Sequence, residues 1–232
     1  MSAQHKSLKL KTAPATQVIS TADMKTYLQV DDAVEDTEIT EAIIASRLAV
    51  EAWLGRSLIN TVWNYWLDGW PRDKKRENPP EGVYNLPIDH FDQQKTYIDL
   101  PMSPLVSVAS ITYYNTADTG AVFAATNYLV DIISDPGRVI LNSSASWPST
   151  LLRPGNGVDI EFTSGYGTAT TDVPEAILLA VKQMTKFNYK VMVGAYEGGS
   201  ETPAFESDKR DSGLTEFVEK LLRPYRVVRA FG

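Results

Sequence analysis

The chain has 232 residues, of which 43% are hydrophobic and 22% are charged, so it can bury one large core or two small ones. Its formal net charge of -7 argues against tight binding of nucleic acid through the phosphates, and it is compatible with a protein that lets DNA pass. The chain contains no cysteine, which excludes disulfides, thiolate metal sites and cysteine nucleophiles.

The N-terminal segment is polar and mildly basic. It lacks the apolar run of a secretory signal, and we predict a flexible arm over residues 1–19. No stretch of the chain approaches the roughly 18 continuous apolar residues of a membrane span. We therefore expect a protein that is made and assembled in the cytoplasm.

Two helices are predicted after the arm. Ser20 to Asp23 resembles a capping box, which predicts a short helix there. In the second helix, from Asp36 to Leu54, apolar residues recur at three- and four-residue steps. Asp36 or Thr37 is expected to cap its start, and Gly55 is expected to end it in a left-handed conformation. The apolar stripe consists of Ile39, Ile43, Val50 and Leu54, with Ile44, Leu48 and Trp53 beside it.

The middle of the chain is rich in β-branched and aromatic residues, with frequent turns and no intervening helical pattern. Six short strands are predicted, at residues 61–67, 97–100, 106–114, 121–130, 138–141 and 158–163. This pattern predicts an antiparallel sandwich or barrel-like module.

Helical periodicity returns from Asp172 to Lys190 and again from Leu214 to Leu222. Between these helices, the glycine-, glutamate- and serine-rich run from Val191 to Asp211 is interpreted as a mobile loop. The predicted fold class is therefore α+β. A small helical bundle is built from both ends of the chain (20–59 plus 172–222), a β-rich module is inserted between them (60–171), and a tail follows (223–232).

No pattern in the sequence indicates catalysis or a bound cofactor. Of the two histidines, His5 lies in the predicted arm and His90 in a loop, and no nucleophile elbow accompanies them. The acids from Asp31 to Asp36 lack the spacing of a calcium loop and are interpreted as helix-capping acids. The tryptophans are interpreted as core or interface anchors in preference to a sugar platform. We expect a non-enzymatic protein without metal or cofactor.

An ordered series of short motifs resembles the head–tail connector family (head-completion or adaptor proteins) of tailed bacteriophages. The series covers about residues 20 to 190 in order. Its pieces are Leu28 to Asp32, Gly55 to Ile59, Ile98 to Pro101, Pro104 to Val108, Ile111 to Tyr114, Pro136 to Val139, Trp147-Pro148, Phe162 to Gly167 and Val173 to Ile177. Shorter members of that family are little more than the helical bundle, and this chain departs from them by its long β insert.

The resemblance implies a structural protein of the virion neck. Such proteins form a ring of about twelve copies beneath the portal protein, extend the DNA channel, and provide a platform for a neck (stopper) or tail-terminator protein. Double-stranded DNA would pass through without specific binding, and no membrane is involved. A tail-completion protein and a β-sandwich sugar-binding component of a tail or fibre are the alternatives.

Two charged segments are the candidate contact sites of such a ring. We hypothesise that an acidic group lines the channel or contacts a neighbouring subunit, and that a basic C-terminal group binds an acidic surface of the portal. Removal of residues 213–232 is expected to abolish portal docking and to leave a folded monomer. The acidic group is Asp31, Asp32, Glu35, Asp36, Glu38 and Glu41; the basic group is Lys209, Arg210, Lys220, Arg223, Tyr225, Arg226, Arg229 and Phe231.

Overall fold

A computed structural model describes residues 6–31, 34–71, 96–196 and 214–227. The described residues form four α-helices and eight strands, which confirms the predicted α+β class. Contacts divide the chain into two compact units. The strand unit contains Met1–Lys11, Val62–Pro101 and Leu105–Thr163, and the helical unit contains Thr12–Thr61, Met102–Pro104 and Ser164–Gly232.

The helical unit is organised around α2 (Asp36–Leu54) and α3 (Glu175–Tyr196), which pack against each other. The shorter helices α1 (Thr21–Leu28) and α4 (Glu216–Leu222) complete it, α1 against α2 and α3, and α4 against α3. All four helices share one core, because the apolar stripe of each faces the others. Its fully buried members include Met24, Ile39, Ile43, Val50, Ile177, Val181, Val218 and Leu222.

The ends of α1 and α2 follow the sequence signals only in part. The side chain of Ser20 accepts a hydrogen bond from the Asp23 amide at 3.0 Å, and Gly55 ends α2 with φ of 68°. The cap predicted for α2 is wrong: Glu35 occupies the N-cap position, and its side chain makes no capping hydrogen bond among the described residues. The carboxylates near this end are instead used for contacts with α1 and α3, because Asp36 binds Lys25 at 2.7 Å and Glu35 accepts from the Tyr189 hydroxyl.

The strand unit contains two sheets. A five-stranded sheet has the order β1-β2-β8-β4-β5, and a three-stranded sheet has the order β3-β7-β6. The pairs β4–β5, β3–β7 and β6–β7 are antiparallel. The strands are β1 (Lys6–Thr12), β2 (Thr61–Leu67), β3 (Tyr97–Asp99), β4 (Leu105–Tyr114), β5 (Gly120–Val122), β6 (Tyr128–Asp131), β7 (Arg138–Leu141) and β8 (Val158–Ser164).

Lys6–Thr12 is a strand, within the range where the sequence predicts a flexible arm. Lysines alternate with Leu8 and Leu10 in this segment. The strand was not predicted because most residues of the segment are polar. It forms an edge of the five-stranded sheet, and lysines are common on edge strands because they oppose unwanted pairing.

The single strand predicted at residues 121–130 is wrong. A 3₁₀ turn at Ala125–Asn127 separates β5 from β6, which belong to different sheets. Asn142 holds this turn, because its side chain donates to the Thr126 carbonyl at 2.6 Å and its amide donates to the Asn127 carbonyl at 3.0 Å.

The mobile loop predicted from Val191 is also wrong for its first residues, since α3 continues to Tyr196. Met192 packs against the helical core, and this contact favours continuation of the helix beyond Lys190. Residues 197–211 of that predicted loop lie outside the described residues.

Candidate functional site

The acidic residues around the start of α2 divide into two groups. Glu35 and Asp36 make internal contacts, with Tyr189 and Lys25, and therefore fasten this end of α2 to its neighbouring helices. Asp31 and Glu41 are exposed, and Glu38 is half-buried. Asp32 lies outside the described residues. The acids that remain available to another molecule are therefore fewer than the sequence suggests.

The basic C-terminal group is partly folded back onto α2. The Arg226 guanidinium lies 4.8 Å from the centre of the Trp53 ring, and the Val227 amide donates to the Leu54 carbonyl at 3.0 Å. The Tyr225 carbonyl accepts a hydrogen bond from the Arg56 side chain. Residues 225–227 therefore form a docked segment at the C-terminal end of α2.

Other members of the basic group are presented on or beside α4. Lys220 is exposed and pairs with Glu216 at 2.8 Å, and Arg223 is exposed at the end of the helix. Lys209, Arg210, Arg229 and Phe231 lie outside the described residues. Lys220 and Arg223 are the exposed cations of the described part that lie outside the docked segment, and they can be tested by substitution.

A buried ion pair lies inside the helical unit, where the sequence interpretation placed only apolar contacts. Arg47 and Glu51 are 8% and 7% exposed, and Arg47 Nη1 donates to Glu51 Oε2 at 2.8 Å. Glu51 Oε1 accepts from the Leu58 amide at 2.9 Å, so the pair ties α2 to the segment that follows Gly55. The sequence does contain a signal for the burial of this pair, because Arg47 and Glu51 follow Ile43 at four-residue steps along the apolar stripe of α2.

Burial is the largest influence on the titration of this pair. It raises the pKa of the Glu51 carboxyl, and the Arg47 charge and the Leu58 amide lower it by less. The charged form is therefore disfavoured on balance even though it has a cationic partner.

Four aromatic residues of the strand unit form a buried cluster and not an open platform. Trp70 and Trp147 stack with ring centres 4.8 Å apart, and Phe123 lies within 6 Å of both. All three side chains are buried, as is Tyr128, which stacks on Phe123. A flat sugar-binding surface needs exposed rings, so this cluster does not supply one.

The described ranges contain no cluster that resembles a metal site and no helix that resembles a membrane span. Within them, no group of three or more carboxylate or histidine side chains is placed to hold a metal ion. No helix in the same ranges is both long and apolar enough to cross a membrane. His5 and His90 lie outside the described residues.

The fold is similar to that of chains in solved gene transfer agent particles. A chain in the neck of an empty gene transfer agent particle, computed with C6 symmetry, has a TM-score of 0.67 at 19% identity, over 97% of this chain and 98% of that chain. A chain from the virion of the native particle has a TM-score of 0.64 at 18% identity, over 97% of each chain. At these identities the likeness establishes a shared fold.

The family can be assigned from the sequence itself. Among curated proteins, no sequence matches the chain. A profile described as "Head completion protein" matches residues 17–228, which is nearly the whole length. The match includes both the helical segments and the β-rich middle of the chain. The chain therefore belongs to the head completion protein family.

Proposed function

We propose that this protein is a structural connector of the particle neck. It forms a homo-oligomeric ring of about twelve copies beneath the portal, extends the DNA channel, and provides the docking platform for a neck or tail-terminator protein. The observation that carries the proposal is the family match over residues 17–228. The proposed role is architectural and requires no catalytic group.

The proposal includes a division of labour within the chain. The helical segments 20–59 and 172–222 act as one small bundle built from both ends of the chain. The β-rich insert 60–171 acts as a sandwich-like module that presents contact surfaces. The shared core of α1 to α4 and the two sheets of the strand unit support this division.

The acids of this group other than Glu35 and Asp36 suit a channel through which DNA moves. Each basic contact with a phosphate strengthens non-specific binding, so a wall that must release DNA should carry few of them. Asp31, Glu38 and Glu41, with Asp32, are proposed to line the channel or to meet a basic neighbour. Glu35 and Asp36 are proposed to support this surface through their contacts with Tyr189 and Lys25.

The basic C-terminal group is proposed to contact an acidic portal surface. The exposed Lys220 and Arg223 are its described members outside the docked segment, and Tyr225 and Arg226 hold that segment against α2. Lys209, Arg210, Arg229 and Phe231 are proposed to belong to the same surface. Electrostatic complementarity of this kind sets the register and the rate of assembly more than the final affinity.

The test is to mix the purified protein with the portal protein and, separately, with tail tubes of the same particle, to examine both mixtures by negative-stain electron microscopy, and to apply the protein to a glycan array. We expect rings on one face of the portal. Rings on the tail tube instead would show a tail-completion protein, and glycan binding without rings would show a sugar-binding tail component. Either result contradicts the proposed function.

The portal assignment has its own matched pair of variants. Lys220→Glu/Arg223→Glu should weaken portal binding, most strongly at low salt where screening is small. Lys186→Glu/Lys190→Glu on α3 changes the net charge equally and should bind normally. Equal loss in both variants, or in neither, would contradict a specific role for the α4 cations.

A further inference from the structure

One aromatic side chain of the helical unit is exposed to water. Phe217 on α4 is 55% exposed, and every other phenylalanine, tyrosine and tryptophan whose side chain the structure describes is buried or half-buried. Large aromatic side chains are normally placed in a core or in an interface, because covering them removes much apolar surface from water. The exposure of Phe217 therefore indicates a surface that a partner covers.

This exposure does not come from a loosely attached helix. Val218, next to Phe217 in the chain, is fully buried, as are Leu214 and Leu222, and Thr215 caps the helix by accepting from the Val218 amide. These contacts fix the face of α4 on which Phe217 lies. A partner that covers Phe217 therefore has little of the helix left to order, which keeps the entropic cost of binding small.

Phe217 has an apolar neighbour on one side and cations on the other. Leu221, four residues later, packs half-buried against the core, so the two side chains are neighbours on the helix surface. Lys220, three residues later, lies on the other side, and Arg223 is exposed at the end of the helix. An aromatic side chain bordered by arginine is typical of the residues that contribute most to protein–protein binding.

The two cations can both meet a partner, for different reasons. Lys220 pairs with Glu216 at 2.8 Å, but its side chain is 75% exposed, and an ion pair this accessible to water contributes little to stability. Arg223 makes no ion pair with the described residues. A carboxylate of a partner can therefore bind Arg223 directly and replace Glu216 at Lys220 at small cost.

We infer that Phe217 is the apolar anchor of the portal contact. It enters an apolar pocket of the portal protein, and carboxylates at the border of that pocket bind Arg223 and Lys220. The patch is cationic although the whole chain carries a net charge of -7, so its complement is an acidic surface. The inference rests on the proposed portal contact and adds the chemistry of the partner surface, which is apolar at its centre and acidic around it.

The two parts of this contact respond differently to salt. Ionic contacts weaken as the salt concentration rises, whereas burial of an aromatic ring is not screened by salt. Phe217→Ala should therefore lower the affinity for the portal by about tenfold or more at every salt concentration, with the salt dependence unchanged. Lys220→Glu/Arg223→Glu should instead reduce the salt dependence.

The measurement is co-sedimentation of the full-length protein with portal in excess, at several salt concentrations. Most neighbouring positions on the portal then stay empty, so contacts between copies do not contribute. Leu48→Ala is the matched control, because Leu48 on α2 is 52% exposed, and this variant should bind like wild type. Phe217→Leu keeps part of the apolar surface and should recover part of the affinity.

Several results would overturn the inference and leave the connector function standing. Phe217→Ala could bind the portal as tightly as wild type. It could melt well below both wild type and Leu48→Ala, which would show that its own chain covers the ring. It could bind normally in portal excess and lose only the closed ring at saturation, which would place Phe217 between copies. Absence of portal binding by the wild-type protein overturns both the inference and the proposed function.

Discussion

The Arg47–Glu51 pair is the residue-level feature with the clearest energetic consequence. Both side chains are buried in the helical unit, where a charge has little access to water. Burial raises the Glu51 pKa, so the folded chain holds that proton more tightly than the unfolded chain. The free energy of unfolding therefore increases as the pH falls from this raised pKa towards the ordinary value of 4.5, because the buried carboxylate becomes protonated.

We predict that Arg47→Met destabilises the protein in a pH-dependent way. At pH 7 the variant leaves a buried carboxylate without its cation, which costs about 3 kcal/mol. As the pH falls through the raised Glu51 pKa, the carboxyl becomes protonated and the cost relative to wild type shrinks. Urea unfolding of both proteins at several pH values measures the difference.

The control for this prediction is Arg47→Met/Glu51→Gln. The amide oxygen of Gln can still accept from the Leu58 amide, and no buried charge remains, so most of the lost stability at pH 7 should return. Because the double variant has no carboxyl at position 51, its own free energy of unfolding should lack the pH dependence that Glu51 contributes. A pH-independent deficit in Arg47→Met alone would refute the explanation.

At the scale of elements, α4 belongs to the core as well as to the C-terminal basic group. Thr215 caps the helix by accepting from the Val218 amide at 3.4 Å, and Leu214, Val218 and Leu222 are fully buried. Its opposite face carries Phe217 and Lys220, which are exposed. One short helix thus combines a structural face with a face available for contact.

We predict that Leu222→Ala destabilises the protein by about 2 to 5 kcal/mol, because it removes buried methyl groups and leaves a cavity. Lys220→Ala on the same helix should change the free energy of unfolding by less than about 0.5 kcal/mol. Thermal or urea unfolding checks both values. Similar small effects of the two substitutions would show that α4 is not packed as described.

Some elements could be predicted from sequence because their patterns are unambiguous. The extent of α2 follows from its apolar period and Gly55, and β7 occupies the predicted residues 138–141. Strand β1 was missed because lysines dominate a strand whose neighbour lies far along the chain. The buried Arg47–Glu51 pair was missed because charged residues four apart on a helix usually mark a solvated face.

The contact surfaces were harder to anticipate for a similar reason. Sequence places acids at one end of α2 and cations near the C-terminus, but it does not show which are already engaged. Asp36 forms an ion pair with Lys25, and the Arg226 guanidinium lies over the Trp53 ring. These pairings depend on which helices meet, and that information is carried by the whole core.

At the scale of the whole molecule, the position of a C-terminal truncation decides whether it removes only the proposed portal contacts or also part of the helical core. Removal of residues 213–232 takes away α4, and with it the buried Val218 and Leu222. We therefore expect that the protein without residues 213–232 does not fold into a stable monomer, contrary to the expectation from sequence. A chain that stops after Val227 keeps the docked segment on α2.

We predict that the chain ending at Val227 unfolds at the wild-type temperature but sediments less with the portal, since Arg229 and Phe231 are gone. The chain ending at Ser212 should melt earlier or fail to fold. Thermal melting with portal co-sedimentation separates the two effects. Normal portal binding by the Val227 chain would remove the terminal residues from the proposed surface.

The two compact units are interleaved along the chain. The polypeptide passes between them at Lys11–Thr12, Thr61–Val62, Pro101–Met102, Pro104–Leu105 and Thr163–Ser164. On a ribosome, the helical core stays incomplete until α3 and α4 have emerged, because α2 has no partner of equal length before them. The helical core therefore cannot be completed before nearly all of the chain has been made.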